Sequence, residues 1–221
     1  MDSAEDPYLL AMPGASHAYV EAREELRLAE RTLTDLREAI AGLRRALPRG
    51  PAVQDYEFED ARGGAVRLSQ LFSDDKSELV IYHLMYWVDD DEFCPMCSLW
   101  IDGWDGIAHH VEQRANVAVA TCAPVEKLRA WAERRGWRRL RLLSDRGPSF
   151  AHDTGAEDED GRPDSTVLVF SKDGSEIRHV YTGHPFMDGK QRNIDLLCPV
   201  WHIFDLLPSG RGDWSASNDY V

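Results

Sequence analysis

The sequence predicts a three-layer α/β/α domain with a mixed sheet, preceded by a long helix and a hairpin. Three observations lead to this prediction. Apolar runs at residues 79–86 and 115–122 each precede a helical pattern, residues 165–170 and 176–181 flank the turn sequence Lys172-Asp173-Gly174-Ser175, and an apolar heptad seam lies within residues 18–47. Strands that alternate with helices are typical of parallel strands between helical layers, and a following hairpin adds antiparallel strands.

The first 50 residues predict a loose arm, residues 1–17, and one long helix, residues 18–47. The apolar positions of this helix are Leu26, Ala29, Leu33, Leu36, Ile40, Leu43 and Leu47. Their alternating steps of three and four residues form a narrow seam of the kind that packs against one other helix. The seam either pairs with a second copy of the chain, giving a homodimer, or docks on its own domain. Pro48 and Gly50 end the helix.

Residues 51–208 predict the α/β domain itself, and residues 209–221 predict a C-terminal tail, frayed from Pro208 onward. The predicted elements are a hairpin and short helix at 54–72, strands at 79–86, 115–122 and 140–143, helices at 98–111, 124–137 and 193–207, an acidic loop at 153–164 and a hairpin with strands 165–170 and 176–181. We expect the connection from 79 to 122 to join two parallel strands.

The segment Cys94-Pro95-Met96-Cys97 places two thiols between the first buried strand and a helix. A Cys-x-x-Cys in this position is the arrangement of thiol–disulfide redox sites. The unpaired N–H groups and the partial positive charge of a helix start both favour a thiolate. Pro95 suits the first helical position, which needs no N–H donor. Cys94 is therefore predicted to be the attacking sulfur and Cys97 the resolving one.

Other interpretations of the two cysteines stay open. A Cys-x-x-Cys is also half of many zinc sites, but zinc needs two further ligands and the sequence has no second Cys-x-x-Cys. A metal site in a non-catalytic module would use Cys94, Cys97 and His83 to hold a thiophilic ion. A structural disulfide and a pair of inert thiols are the remaining alternatives.

Charge and composition limit the partners and the compartment. The net charge of −14 argues against nucleic acid and anionic membranes, because both bind basic surfaces. No apolar run reaches about 18 residues, so no membrane span is predicted. The acidic start, residues 1–6, lacks the apolar core of a signal peptide, which predicts a cytoplasmic protein with free thiols. The acidic residues 89–92 are expected to oppose a thiolate on Cys94.

Several stretches resemble one bacterial family. They are Ala22-Arg23-Glu24-Glu25-Leu26, Tyr82-His83-Leu84-Met85-Tyr86, Cys94-Pro95-Met96-Cys97-Ser98-Leu99-Trp100, Asn116-Val117-Ala118-Val119-Ala120 and Gly136-Trp137. The order of elements resembles the thioredoxin fold, and residues 55–72 resemble the opening hairpin of the peroxiredoxin and redoxin branch. The stretches themselves resemble domain of unknown function 899, a thioredoxin-like family that carries the label of predicted dithiol–disulfide oxidoreductase.

The resemblance implies a thioredoxin-like fold and disulfide exchange through Cys94 and Cys97. Such exchange needs a thiol or disulfide substrate and an external reductant, and it needs no cofactor. A thiol peroxidase, which would pass through a sulfenic acid on Cys94, is the alternative activity. Two features depart from the relatives. Ser165 or Thr166 stands where thioredoxin-like oxidoreductases usually place a cis-proline, and the peroxidase motif Pro-x-x-x-Thr/Ser-x-x-Cys is absent.

Five further side chains are candidates for the surroundings of the dithiol. Trp87, Phe93 and Trp100 flank it in sequence, where they either shield the thiols, form a platform for the substrate or pack as core. Cys122 ends the second parallel strand, at the sheet edge where the dithiol also lies. It is either an extra thiol or ligand near the dithiol or a small core residue. His83 lies mid-strand among apolar residues, as a satisfied core histidine or, if it faces the site, as a proton relay or ligand.

Overall fold

A computed structural model describes residues 12–73, 75–87, 90–145, 148–184 and 197–219. The chain divides into two compact units, Met1–Pro48 and Arg49–Val221. Within the described ranges, the first unit contains one helix, and the second contains a seven-stranded sheet with the other helices.

Helix α1 spans His17–Arg45 and confirms the predicted long helix. The Ser16 hydroxyl caps it by accepting a hydrogen bond from the backbone N–H of Tyr19 at 3.2 Å. None of its residues is buried, and Leu36 and Leu43 are 55% and 69% exposed. The predicted seam therefore presents apolar side chains that a partner helix can cover.

The homodimer through α1 stays a prediction. Leu36→Asp places a carboxylate in the middle of the seam, and burying an unpaired charge costs several kcal/mol, so we expect this variant to dissociate into single chains. Light scattering on the wild type and the variant measures the masses. Arg31→Asp changes a residue on the opposite side of the helix and should keep the wild-type mass. A wild type with the mass of one chain at high micromolar concentration would contradict the prediction.

The second unit is built on a mixed sheet of seven strands. They are β1 Glu57–Asp60, β2 Ala65–Arg67, β3 Glu78–His83, β4 Asn116–Thr121, β5 Arg141–Ser144, β6 Thr166–Asp173 and β7 Glu176–Gly183, in the order β2-β1-β5-β4-β3-β6-β7. Strand β4 lies parallel to both β3 and β5, whereas the pairs β1–β2, β1–β5, β3–β6 and β6–β7 are antiparallel. The predicted parallel connection and both predicted hairpins are confirmed.

Helices cover both faces of this sheet. They are α2 Pro95–Val111, α3 Val125–Arg135, α4 Pro148–Thr154 and α5 Pro199–Phe204, with a 3-10 turn at Leu68–Leu71. Ile101 of α2 and Leu128 of α3 pack with Tyr82 on one face, and Phe150 of α4 packs with Ile81 on the other. These three layers form the predicted thioredoxin-like fold. None of the helices in the described ranges is both long and apolar enough to cross a membrane.

Three elements differ from the sequence prediction. Strand β3 ends at His83 rather than at residue 86. Leu84 and Tyr86 are still buried, and an apolar run does not distinguish a buried strand from the buried residues that follow it. Helix α4 was not predicted, since seven residues are too few to show a helical period. Helix α5 begins at Pro199, because proline fits the first position of a helix and not its interior; residues 193–196 of the predicted helix lie outside the described residues.

The C-terminal tail was predicted to be frayed, and this is wrong for its described residues. The Trp214 ring packs against the rings of Trp201 and Phe204, with centroids 5.6 and 5.0 Å apart. Asn218 and Asp219 form hydrogen bonds with Phe93 and Arg134 respectively. The tail is thus part of the packed unit, and no local sequence pattern showed this because its partners are far away along the chain.

Candidate active site

The dithiol lies where the chain enters helix α2. Cys94 is the N-cap residue and Pro95 the first residue of the helix, as the sequence predicts. Cys94 has non-helical backbone angles, φ −52° and ψ 124°, so it stands at the open end of the first turn. Cys94 is half-buried, whereas Cys97, one turn further on, is 2% exposed. A substrate can therefore approach Cys94 before it can approach Cys97.

The pKa of the Cys94 thiol is lowered to about 7. The largest cause is the hydrogen bond from the Cys97 thiol, and the backbone N–H groups of Cys97 and Met96 lower the pKa further. Burial and the Asp164 carboxylate raise it and offset part of this effect. Because the thiolate is the nucleophile, Cys94 is poised for attack at neutral pH.

The pKa of the Cys97 thiol is shifted in the opposite direction, well above its ordinary value. Its S–H is committed to the Cys94 sulfur, its side chain is buried, and the charge on Cys94 repels a second thiolate. The Tyr82 hydroxyl and the backbone of Met85 oppose this shift. The two sulfurs thus lie close together, and their hydrogen bond favours the charge on Cys94 and the proton on Cys97.

One carboxylate that opposes the Cys94 thiolate is Asp164, which the sequence did not indicate. Within that loop, the Glu92 carboxylate accepts hydrogen bonds from Arg134 and from the Asn218 side chain, the latter at 3.0 Å. Arg134 lowers the pKa of Glu92 and balances its charge. Asp89, also in the predicted acidic cluster, lies outside the described residues.

The three aromatic residues expected near the dithiol have different environments. Phe93 and Trp100 are buried, with exposed fractions of 1% and 4%. The Phe93 ring lies between those of Tyr86 and Trp131, at centroid distances of 5.2 and 5.5 Å. Trp87, in contrast, is 48% exposed. Phe93 and Trp100 therefore pack as core, and Trp87 is the one of the three that can serve as a platform for a substrate.

Ser165 and Thr166 lie at the start of β6, next to the end of β3, and both are buried. The Ser165 side chain forms a hydrogen bond with the Tyr82 hydroxyl, and this hydroxyl also forms a hydrogen bond with the Cys97 thiol. The Thr166 hydroxyl is 3.3 Å from Nδ1 of His184, and the same nitrogen is 3.3 Å from the Asp164 carboxylate. The start of β6, where the family resemblance implied a proline, thus carries several polar side chains.

Sequence reasoning missed three residues of this site: Tyr82, Asp164 and His184. Alternation along β3 could have shown that Tyr82 and its neighbour His83 face opposite sides of the sheet. Nothing local connects Asp164 with Cys94, because pairing of β3 with β6 brings it there. His184 lies beside Thr166 and Asp164 through the pairing of β6 with β7.

The structure does not bring His83 to the two cysteines. His83 is fully buried, with its ring on the side of Phe150 at a centroid distance of 6.4 Å, whereas Tyr82 packs against α2. Its ring nitrogens lie 3.1 Å from the Asp164 carbonyl oxygen and 3.3 Å from the Asp145 carboxylate. Of the two alternatives predicted for His83, the structure supports the core histidine, because both of its ring nitrogens have polar partners. Across the described ranges, no three histidine, cysteine or acidic side chains are grouped as metal ligands.

Cys122 follows β4 directly, as predicted, and its thiol donates to the carbonyl oxygen of Tyr86 at 3.7 Å. Burial raises the pKa of this thiol to about 12, and the charges of Asp145 and Glu157 add to the effect. Cys122 is therefore held as a neutral thiol, which fits a core role and not that of a second nucleophile.

Comparison with known proteins adds a family to this geometry. Residues 12–221 match the model of a bacterial protein family of unknown function, DUF899. The chain belongs to the DUF899 family. No curated protein matches this DUF899 protein.

Several solved structures are similar to this DUF899 protein. Peroxidoxin BcpB from Mycobacterium tuberculosis is 23% identical over 61% of this chain and 86% of its own, with a TM-score of 0.46. The exposed lipoprotein thioredoxin Etrx1 from Streptococcus pneumoniae is 18% identical over 65% and 98% of the two chains, with a TM-score of 0.46. The bacterioferritin comigratory protein from Xanthomonas campestris is 12% identical over 68% and 94%, with a TM-score of 0.49.

Proposed function

We propose that this DUF899 protein is a thiol–disulfide oxidoreductase that uses Cys94 as nucleophile and Cys97 as resolving thiol. One observation supports this above the others: two cysteines one turn apart have pKa values shifted in opposite directions, to about 7 for Cys94 and upward for Cys97. Inert core thiols have no need of such a difference, whereas it favours the attack by one thiolate that begins disulfide exchange.

The first step of the proposed reaction is attack by the Cys94 thiolate on a substrate disulfide. A bond forms between Cys94 and one substrate sulfur, the substrate S–S bond breaks, and the other substrate sulfur leaves as a thiolate that takes a proton from solvent. We propose that the indole of Trp87, which is 48% exposed, contacts the substrate at this stage.

The second step is the resolution of this mixed disulfide by Cys97. The Cys97 thiol loses its proton, its sulfur forms a bond with Cys94, and the bound substrate sulfur leaves as a thiol. The Tyr82 hydroxyl and the Met85 backbone act in favour of the Cys97 thiolate, so they assist this step. An external dithiol reductant then supplies two electrons and two protons to return both cysteines to thiols. We infer a reducing compartment such as the cytoplasm as the place where this cycle runs.

Two cysteine variants test the proposal. With hydroxyethyl disulfide as substrate and dithiothreitol as reductant, Cys94→Ser is expected to reduce turnover to the rate without protein, because a neutral hydroxyl is a far weaker nucleophile than a thiolate. When the reduced protein meets hydroxyethyl disulfide without dithiothreitol, Cys97→Ser should instead accumulate one equivalent of the mixed disulfide on Cys94, seen by mass spectrometry. Cys122→Ser is the matched control, and it should retain wild-type turnover.

Hydrogen peroxide separates exchange from the alternative peroxidase activity. The reduced protein is mixed with peroxide in a stopped-flow instrument, and its oxidation is followed by tryptophan fluorescence. We expect a rate constant like that of an ordinary thiolate. A rate constant orders of magnitude higher, or full disulfide turnover by Cys94→Ser, would contradict the proposed function.

A further inference from the structure

The last described residues of the tail contact the loop that leads into Cys94. The side-chain N–H₂ group of Asn218 donates to the carbonyl oxygen of Phe93 at 2.9 Å and to the Glu92 carboxylate at 3.0 Å. The Phe93 carbonyl belongs to the peptide group that joins Phe93 to Cys94. One tail side chain therefore holds the peptide group next to the nucleophile.

Two arginines in the last turn of α3 hold the tail in this place. Arg134 donates to the Asp219 carboxylate at 2.7 Å and also binds Glu92 of the loop. Arg135 donates to the backbone carbonyl of Asn218 at 2.8 Å and also binds Asp102 of α2. The Arg135 side chain is 2% exposed, so this part of the contact is shielded from water. The end of α3 thus joins the tail, the loop and the cysteine helix.

The same helix also holds residues on both sides of Cys94. The Trp131 ring packs on Phe93 before it, and the Trp131 indole N–H donates to the Ser98 hydroxyl after it at 3.1 Å. The Arg134 guanidinium lies over the Trp131 ring, 4.8 Å from its centroid. Trp131 therefore holds Phe93 before Cys94 and Ser98 after it. Asn218 in addition restrains the peptide group that joins Phe93 to Cys94.

The Asn218 side chain keeps this position at a cost. Its carbonyl oxygen Oδ1 is buried and has no hydrogen-bond partner among the described residues. A buried acceptor without a partner destabilises the folded state, and a tail in open solvent would avoid the penalty. The two hydrogen bonds that Asn218 donates and the arginine contacts offset this penalty, and they hold the side-chain amide in this orientation.

We propose that Asn218 is a positioning residue for Cys94, and that the C-terminal tail is thereby part of the reactive site. This inference rests on the proposed role of Cys94 as the nucleophile. By restraining the Phe93–Cys94 peptide group, Asn218 keeps the Cys94 sulfur close to the Cys97 thiol and to the first-turn N–H groups. When that restraint is lost, Cys94 samples positions away from these donors, and its thiolate becomes less stable.

The test is the pH profile of Cys94 alkylation in Asn218→Ala. Iodoacetamide is the probe, and labelling of the Cys94 peptide is followed by mass spectrometry from about pH 5 to pH 10. We expect the midpoint to rise by about half a unit to one unit, which lowers the rate at pH 7 about two- to fivefold and leaves the alkaline plateau unchanged. Asp213→Asn is the matched control. It removes one negative charge from an exposed residue of the same tail, and it leaves Asn218 and its contacts in place.

Thermal unfolding is measured on each variant. If Asn218→Ala changes the unfolding temperature, the alkylation profile is measured again on a chain that ends at Ser215. An unchanged midpoint in Asn218→Ala and in the shortened chain overturns the inference, and so does an equal shift in Asp213→Asn. The assay contains no disulfide. A wild type that fails to exchange disulfides overturns the proposed function but leaves the shift measurable, whereas a missing shift overturns this inference alone.

Discussion

Alkylation of Cys94 is expected to titrate with a midpoint at about pH 7. An ordinary cysteine has a pKa near 8.5, so at pH 7 the thiolate fraction of Cys94 should exceed that of a free cysteine roughly 15-fold. Stoichiometric labelling with iodoacetamide over a pH series, followed by peptide mapping, measures both the midpoint and the preference for Cys94. Equal labelling of Cys94 and Cys97 would contradict the roles assigned to them.

Substitutions at two positions should move this midpoint in opposite directions. The hydrogen bond from Cys97 is the largest cause of the lowered pKa, so Cys97→Ala should raise the midpoint by about one unit and lower the rate at pH 7 about fivefold. Cys97→Ser keeps a hydroxyl donor and should raise it less. Asp164→Asn removes the charge that raises the pKa, so its midpoint should fall below that of the wild type. A Cys97→Ala midpoint equal to that of the wild type would show that the helix start alone sets the reactivity.

The largest loss of stability is expected from Asp105→Ala, at a buried carboxylate of helix α2. Its oxygen Oδ1 accepts hydrogen bonds from three consecutive backbone N–H groups, those of Arg138, Arg139 and Leu140, at 3.1, 2.8 and 3.1 Å. Asp105 is 5% exposed, so alanine would leave the buried N–H of Leu140 and the two part-buried N–H groups before it without this partner. We expect the free energy of unfolding to fall by about 3–5 kcal/mol, which corresponds to roughly 10 °C in melting temperature.

Asp105→Asn is the matched control for this prediction. It has nearly the same shape and keeps an oxygen that can accept the backbone hydrogen bonds, so the loss should be about 1–2 kcal/mol. Thermal unfolding followed by circular dichroism measures both variants. If Asp105→Ala unfolds at the wild-type temperature, this carboxylate does not anchor α2 to the segment that begins β5.

The sequence predicted the parts of the site that local chemistry controls. Pro95 marked the first residue of α2, because its fixed φ and missing N–H suit that position. The apolar run before it predicted the buried strand β3, although not its end at His83. The parallel pairing of β3 with β4 followed from the helix predicted between them. Helix α4 was missed because its seven residues carry too few turns to show a period.

The amino-acid sequence by itself determined that two thiols stand at the start of a helix after a buried strand, since residues 94–97 are neighbours in the chain. The tertiary structure decided what surrounds them. It brought Asp164 to Cys94 and Tyr82 to Cys97, it turned His83 to the other face of the sheet, and it placed Asn218 on the Phe93 carbonyl. Contacts with Asp164 and Asn218 join residues that are far apart along the chain. They depend on strand order and on the packing of α3, and a periodic pattern within a short window carries no information about either.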